Sequence, residues 1–107
     1  MKSYNTTSPV IFCIFNRPDT TLRVFNEIAK ARPPALYIVA DAARPNVRGE
    51  DALCQQTRII TEKIDWPCEV IRDYAPINLG CKQRIYSGIT NAFKQFDFAI
   101  ILEDDCL

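Results

Sequence analysis

Four short apolar runs recur along this chain at roughly thirty-residue intervals, the length of one strand-helix-strand unit. They are Val10 to Phe15, Leu36 to Ala40, Glu69 to Arg72 and Phe98 to Leu102. Between them lie stretches with helical periodicity. The first opens on Arg17-Pro18-Asp19, with proline where a first helical turn tolerates it and an acid near the positive end of the dipole. Leu22, Phe25, Ile28 and Ala29 then share one face until Pro33-Pro34 stops the helix. The second follows the polar loop 44–49 and carries Leu53, Thr57, Ile60 and Ile64 on its inward stripe, ending before Trp66-Pro67. The third begins near Gly80, with Ile85, Ile89, Ala92, Phe93 and Phe96 facing inward.

This alternation predicts an α/β fold: a three-layer α/β/α sandwich around a parallel sheet of four strands in the order 3-2-1-4. The unbroken run 98–102 reads as a strand covered on both faces. A chain of 107 residues with 48% hydrophobic content is enough for one domain with a core of its own. No linker, repeat or low-complexity segment divides it.

Thirteen basic and thirteen acidic residues are spread without a run of either sign, so nothing marks a nucleic-acid partner. Histidine is absent, and the five cysteines show no C-x-x-C spacing, which speaks against zinc and against a disulfide framework. No stretch has the length of a membrane anchor or the pattern of a secretory leader, so the expected setting is the cytoplasm.

Parallel α/β sheets bind ligands beyond the carboxyl ends of their strands, at the point where the strand order reverses. With this order the crevice opens between strands one and four. Asn16 and Arg17 follow the first strand, Asp41 the second, Asp73 or the later Asn78-Leu79-Gly80 the third, and Glu103-Asp104-Asp105 the fourth. Adjacent carboxylates tolerate full ionisation best beside a cation, and oxygen-only donors select Mg²⁺ or Mn²⁺; the competing reading is a solvated loop. Asp41 suits either a nucleobase or ribose donor or a turn of its own. Arg84, with Lys82, suits either a diphosphate near a helix N-terminus or plain solvent. The glycine fingerprints of dinucleotide and P-loop sites are missing, and no hydrolase triad can be assembled without histidine.

The segment from Pro9 to Pro18, Asp41, the stretch from Asn78 to Arg84 and the closing Glu103-Asp104-Asp105 together resemble the N-terminal half of a GT-A nucleotide-sugar glycosyltransferase. The last motif resembles the E-D-D spelling of the D-x-D motif, familiar from inverting N-acetylglucosaminyltransferases and bacterial sugar transferases similar to them. The resemblance implies that Phe15, Asn16 and Arg17 line a nucleotide pocket, that Asp41 holds the base, and that Arg84 lies near the diphosphate or sugar. It further implies that Glu103 faces the donor sugar, Asp104 the ribose, and that Asp105 binds Mn²⁺ or Mg²⁺. The implied reaction transfers a sugar from a nucleotide donor, a UDP-sugar first, to a hydroxyl of a glycan or lipid-linked acceptor. It would take place in the cytoplasm or peripheral to the inner face of the membrane.

A complete domain of this kind is about twice as long, and its general base lies in the later half. The expectation is therefore a donor-binding half-domain, inactive alone, whose uncovered last strand self-associates. The alternative is a non-catalytic nucleotide-binding or protein-interaction module. A receiver-like phosphoacceptor domain fits less well, because it needs acids after the first strand, where Asn16 stands.

Overall fold

The computed structural model describes residues 7–104. Four parallel strands, β1 (Val10–Ile14), β2 (Ala35–Ala40), β3 (Glu69–Tyr74) and β4 (Ile100–Glu103), form one sheet in the order β3-β2-β1-β4. The crossovers are α1 (Pro18–Ala31), α2 (Glu50–Ile60) and α3 (Cys81–Ala92). This is the α/β architecture and strand order that the sequence pattern predicts.

The pleat sorts the core into two layers. Val10, Phe12 and Ile14 of β1 with Leu36, Ile38 and Ala40 of β2 meet Val24, Phe25 and Ile28 of α1 on one face. Ile11, Cys13, Tyr37 and Val39 point to the other face, toward Ile85, Ile89 and Ala92 of α3. Both central strands are buried along their whole length, which explains why they read as continuous apolar runs. Trp66 closes the first layer, tilted against Phe25, with its indole N–H donated to the Pro33 carbonyl at 2.8 Å. A buried indole needs that acceptor.

Two local expectations change. The run 98–102 is not covered on both faces: β4 is an edge strand, and Ile100 and Ile101 are each 43% exposed. Hydrophobicity alone does not distinguish a central strand from an edge. The helical stripes are also shifted. In α1 the buried set is Thr21, Val24, Phe25 and Ile28, with Leu22 exposed. In α2 it is Glu50, Cys54 and Thr57, continued by Thr61, with Leu53 exposed and Ile60 half-buried. Phe93, expected inside, lies beyond the end of α3 and is exposed.

Candidate functional site

The sheet fixes where a ligand can sit, because the carboxyl ends of β1, β2 and β4 and the start of α3 converge on one hollow of about 300 Å³. Ile14 and Phe15 form its floor at the end of β1, Asp41 and Arg44 one wall, Gly80, Cys81 and Arg84 another, and Glu103 with Asp104 the fourth side. The expected crevice thus forms where the strand order reverses.

Asp41 is buried and sits one residue past β2. Its Oδ1 accepts the N–H groups of Ala42 (2.9 Å) and Leu79 (3.0 Å), and its Oδ2 accepts the N–H of Gly80 (3.0 Å) and the amide of Asn78 (3.2 Å). Asn78 also donates to the Ala42 carbonyl at 2.8 Å. A carboxylate offers about four acceptor positions, and the loop fills all of them. Asp41 therefore clamps the Asn78-Leu79-Gly80 turn to the end of β2 and sets the position of α3. Gly80 makes the turn possible with φ 87° and ψ 152°, a conformation open essentially to glycine alone.

Arg84 is neither an exposed helix arginine nor a free cation at the pocket rim. It is buried, and donates from Nε to the Ala40 carbonyl (3.0 Å), from Nη1 to Ser87 Oγ (3.1 Å), and from Nη2 to Asp73 Oδ1 (2.7 Å) and to the Asp73 carbonyl. The other Asp73 oxygen accepts the Tyr37 hydroxyl at 2.8 Å. That hydroxyl is pushed up to about 12 by burial and by the charge it faces. Arg84 thus stitches β2 and β3 to α3, and its guanidinium is a structural cross-link in the pocket wall.

Two charged residues of the site escape the sequence reading. Glu50, the first residue of α2, is only 2% exposed and accepts three bonds from Arg44: from its backbone N–H (2.8 Å), Nε (3.0 Å) and Nη2 (2.6 Å). It also accepts the side-chain amide of Asn16 at 3.0 Å. These donors hold the carboxyl down to about 2, with the Arg44 hydrogen bonds the largest cause. Asn16 is therefore tied to α2, while Arg44, about half exposed, stays anchored at the pocket wall. A signal did exist: Glu50, Cys54, Thr57 and Thr61 repeat at helical steps on the inward face of α2. The bulkier Leu53 and Ile60 outweighed it.

Cys13 and Cys81 also border the hollow. Burial, with help from the Glu103 charge, pushes the Cys13 thiol up to about 12, so it is not a free thiolate at neutral pH. The N-terminus of α3 opens on the same space. Its cap residue Gly80 has no side chain and gives its N–H to the Asp41 carboxylate, which already faces the positive end of the helix; its first turn carries no acid of its own.

Glu103 is the last residue of β4 and Asp104 follows it, and both line the hollow. Asp105, expected as the metal ligand, lies outside the described residues. Among the described residues no group of three or more acids or cysteines is placed to hold a metal ion. Phe15 lines the pocket, whereas Arg17 caps α1 with its backbone and has an exposed side chain. No helix among the described residues is long and apolar enough to cross a membrane. Compared with known proteins, the chain matches no family model, no curated protein and no solved structure, so the site is read from its own geometry.

Proposed function

We propose that this hollow is the donor side of a nucleotide-sugar glycosyltransferase site, taking a nucleoside diphosphate sugar, a UDP-sugar first. The observation that carries the reading is the meeting of opposite charges across one strand-order reversal. On one side stand the Glu103 and Asp104 carboxylates, and on the other the anchored Arg44 and the first turn of α3, past the Gly80 N–H that Asp41 holds. A diphosphate needs the second side, and a divalent cation bridging it needs the first. Phe15 and Ile14 supply the apolar floor for a planar base.

The motif implies Asp105 as the ligand of Mg²⁺ or Mn²⁺, with Glu103 toward the donor sugar and Asp104 toward the ribose; a bound ion would offset charge developing on the departing diphosphate. In this reading Asp41 acts as a positioning residue. It holds the Asn78-Gly80 turn that aims α3 at the phosphates, and Arg84 holds the same wall from below. The hydroxyl acceptor, a glycan or a lipid-linked sugar, and the base that activates it belong to the same proposal, as does a setting in the cytoplasm or at the inner face of a membrane.

Calorimetric titration with UDP, GDP and CDP, each with and without Mn²⁺, tests it. One diphosphate is expected to bind only when metal is present. Asp105→Ala is expected to abolish the metal-dependent part, and Asp104→Asn to weaken the nucleotide about tenfold while leaving the metal dependence, the loss of one charge-assisted hydrogen bond. Equal binding with and without metal, or none with any of the three, overturns the proposal.

A further inference from the structure

Arg44 is gripped in a way that fixes which part of it faces the hollow. A guanidinium can hold a pair of oxygens by its side edge, Nε with Nη2, or by its end edge, Nη1 with Nη2. Glu50 takes the side edge with both carboxylate oxygens, Oε1 accepting from Nε at 3.0 Å and Oε2 from Nη2 at 2.6 Å. The same Oε1 accepts the Arg44 backbone N–H at 2.8 Å, so one group pins main chain and side chain together. The loop between them is closed on itself. Val47 donates its N–H to the Arg44 carbonyl, Glu50 donates its own to Val47, and Gly49, at φ 82°, turns the chain back against Arg44. Asn16, two residues past β1, steadies the carboxylate by donating its amide to Oε2 at 3.0 Å. With its carboxyl held down to about 2, Glu50 keeps this grip at neutral pH.

The end edge is left over. Among the described residues Nη1 of Arg44 has no partner, and the side chain is about half exposed where it lines the hollow. Arg84, in the same lining, commits Nε, Nη1 and Nη2 to Ala40, Ser87 and Asp73. In the groove of about 870 Å³ beside α1, Lys30 is already paired with Glu27 at 2.8 Å, and Arg23 is held by no carboxylate among the described residues. Of these cations Arg44 alone combines a pinned side edge with an open end edge.

We propose that Arg44 receives a phosphoryl group of the ligand end-on, through Nη1 and Nη2, and that Glu50, with Asn16 behind it, is the positioning residue that presents it. This rests on the reading of the hollow as a diphosphate site, and adds which side chain holds a phosphate, by which edge, and what aims it. Two negative oxygens on one phosphorus satisfy both donors of that edge, whereas a lone hydroxyl satisfies one. A guanidinium already immobilised by Glu50 also gives up less freedom on binding than an unanchored one. Because its charge is shared with Glu50, the contact is directional more than electrostatic. Lysine, which keeps the charge and loses the fork, is therefore the discriminating replacement.

Amide NMR titration of the chain with inorganic pyrophosphate in the presence of Mg²⁺, a probe with neither base nor sugar, tests the contact. Arg44 is expected to shift, its Nε–H included, and Arg44→Lys to raise the dissociation constant about tenfold. Glu50→Gln is expected to weaken binding about as much, and the double variant to bind no more weakly than Arg44→Lys alone, because Glu50 acts through Arg44; a purely structural loss at Glu50 would add to the other. Arg44→Lys changes a half-exposed side chain, so it reads the contact however far Glu50→Gln lowers stability. No shift at Arg44, an unchanged affinity in Arg44→Lys, or additive losses overturn the proposal. The same titration with UDP separates it from the donor reading. Pyrophosphate held through Arg44 with no gain from the nucleoside leaves this contact standing and removes the nucleotide, and UDP binding indifferent to Arg44→Lys does the reverse.

Discussion

Glu50 shows how a single buried charge is made tolerable and what it controls. A carboxylate removed from water is costly unless donors surround it, and here Arg44 and Asn16 supply four hydrogen bonds. Those bonds depress its folded value from 4.5 to about 2. A group whose folded value lies below its unfolded one contributes stability at higher pH and loses it on acidification. Glu50 therefore contributes fully above about pH 4.5, and the contribution disappears as the pH falls toward 2. Glu50→Gln is expected to lower the urea midpoint at neutral pH and to flatten its fall across that acid window, because an amide turns donors toward donors. Urea titrations of both proteins across the window check this; parallel pH profiles would contradict it. Asp41, Arg84, Asp73 and the stretch Asn78-Leu79-Gly80 were all visible in the sequence as residues near the strand ends, but their pairing with one another was not. The loop amides and Asp73 come together only when β2, β3 and α3 are placed, and no local pattern encodes that meeting.

At the scale of elements, α3 is held close to the sheet by a residue with no side chain. A Cβ built on Gly88 would lie 2.3 Å from Val39 Cγ1, and Val39 is itself buried in β2 with nowhere to move. Alanine is otherwise the better helix former by about 1 kcal/mol. Gly88→Ala should nevertheless destabilise the fold by about 1–3 kcal/mol, the usual range for overpacking. A lower thermal midpoint is the expected readout, and a stabilised variant would show that α3 does not approach β2 this closely. The element order and strand order were legible because apolar runs and amphipathic stretches alternate with the spacing of parallel crossovers. What failed was phase and edge. In α2 two stripes share Thr57, and the one with larger apolar residues is the more exposed, since the buried stripe also carries the polar Glu50 network. In β4 the apolar content was real, but what covers it is a property of neighbours that a single run does not describe.

Across the whole molecule, the strand-order reversal gathers the acids after β4, the end of β1 and the start of α3 into one hollow, while Asp41, Arg84 and Glu50 hold the walls through buried hydrogen bonds. The metal and phosphate groups of a donor would then find rigid partners, an arrangement that lowers the ordering cost of binding. The groove beside α1 stands apart from that hollow and shares none of its lining residues. The most direct measurement is an amide NMR spectrum of the labelled chain titrated with UDP and Mg²⁺, followed by trace Mn²⁺ as a paramagnetic probe. Shifts are expected at Phe15, Arg44, Gly80 and Cys81, with Mn²⁺ broadening centred on Glu103 and Asp104 and no change at Arg23 or Lys30. Perturbation centred on the α1 groove, or none anywhere, would contradict a donor site at the strand ends.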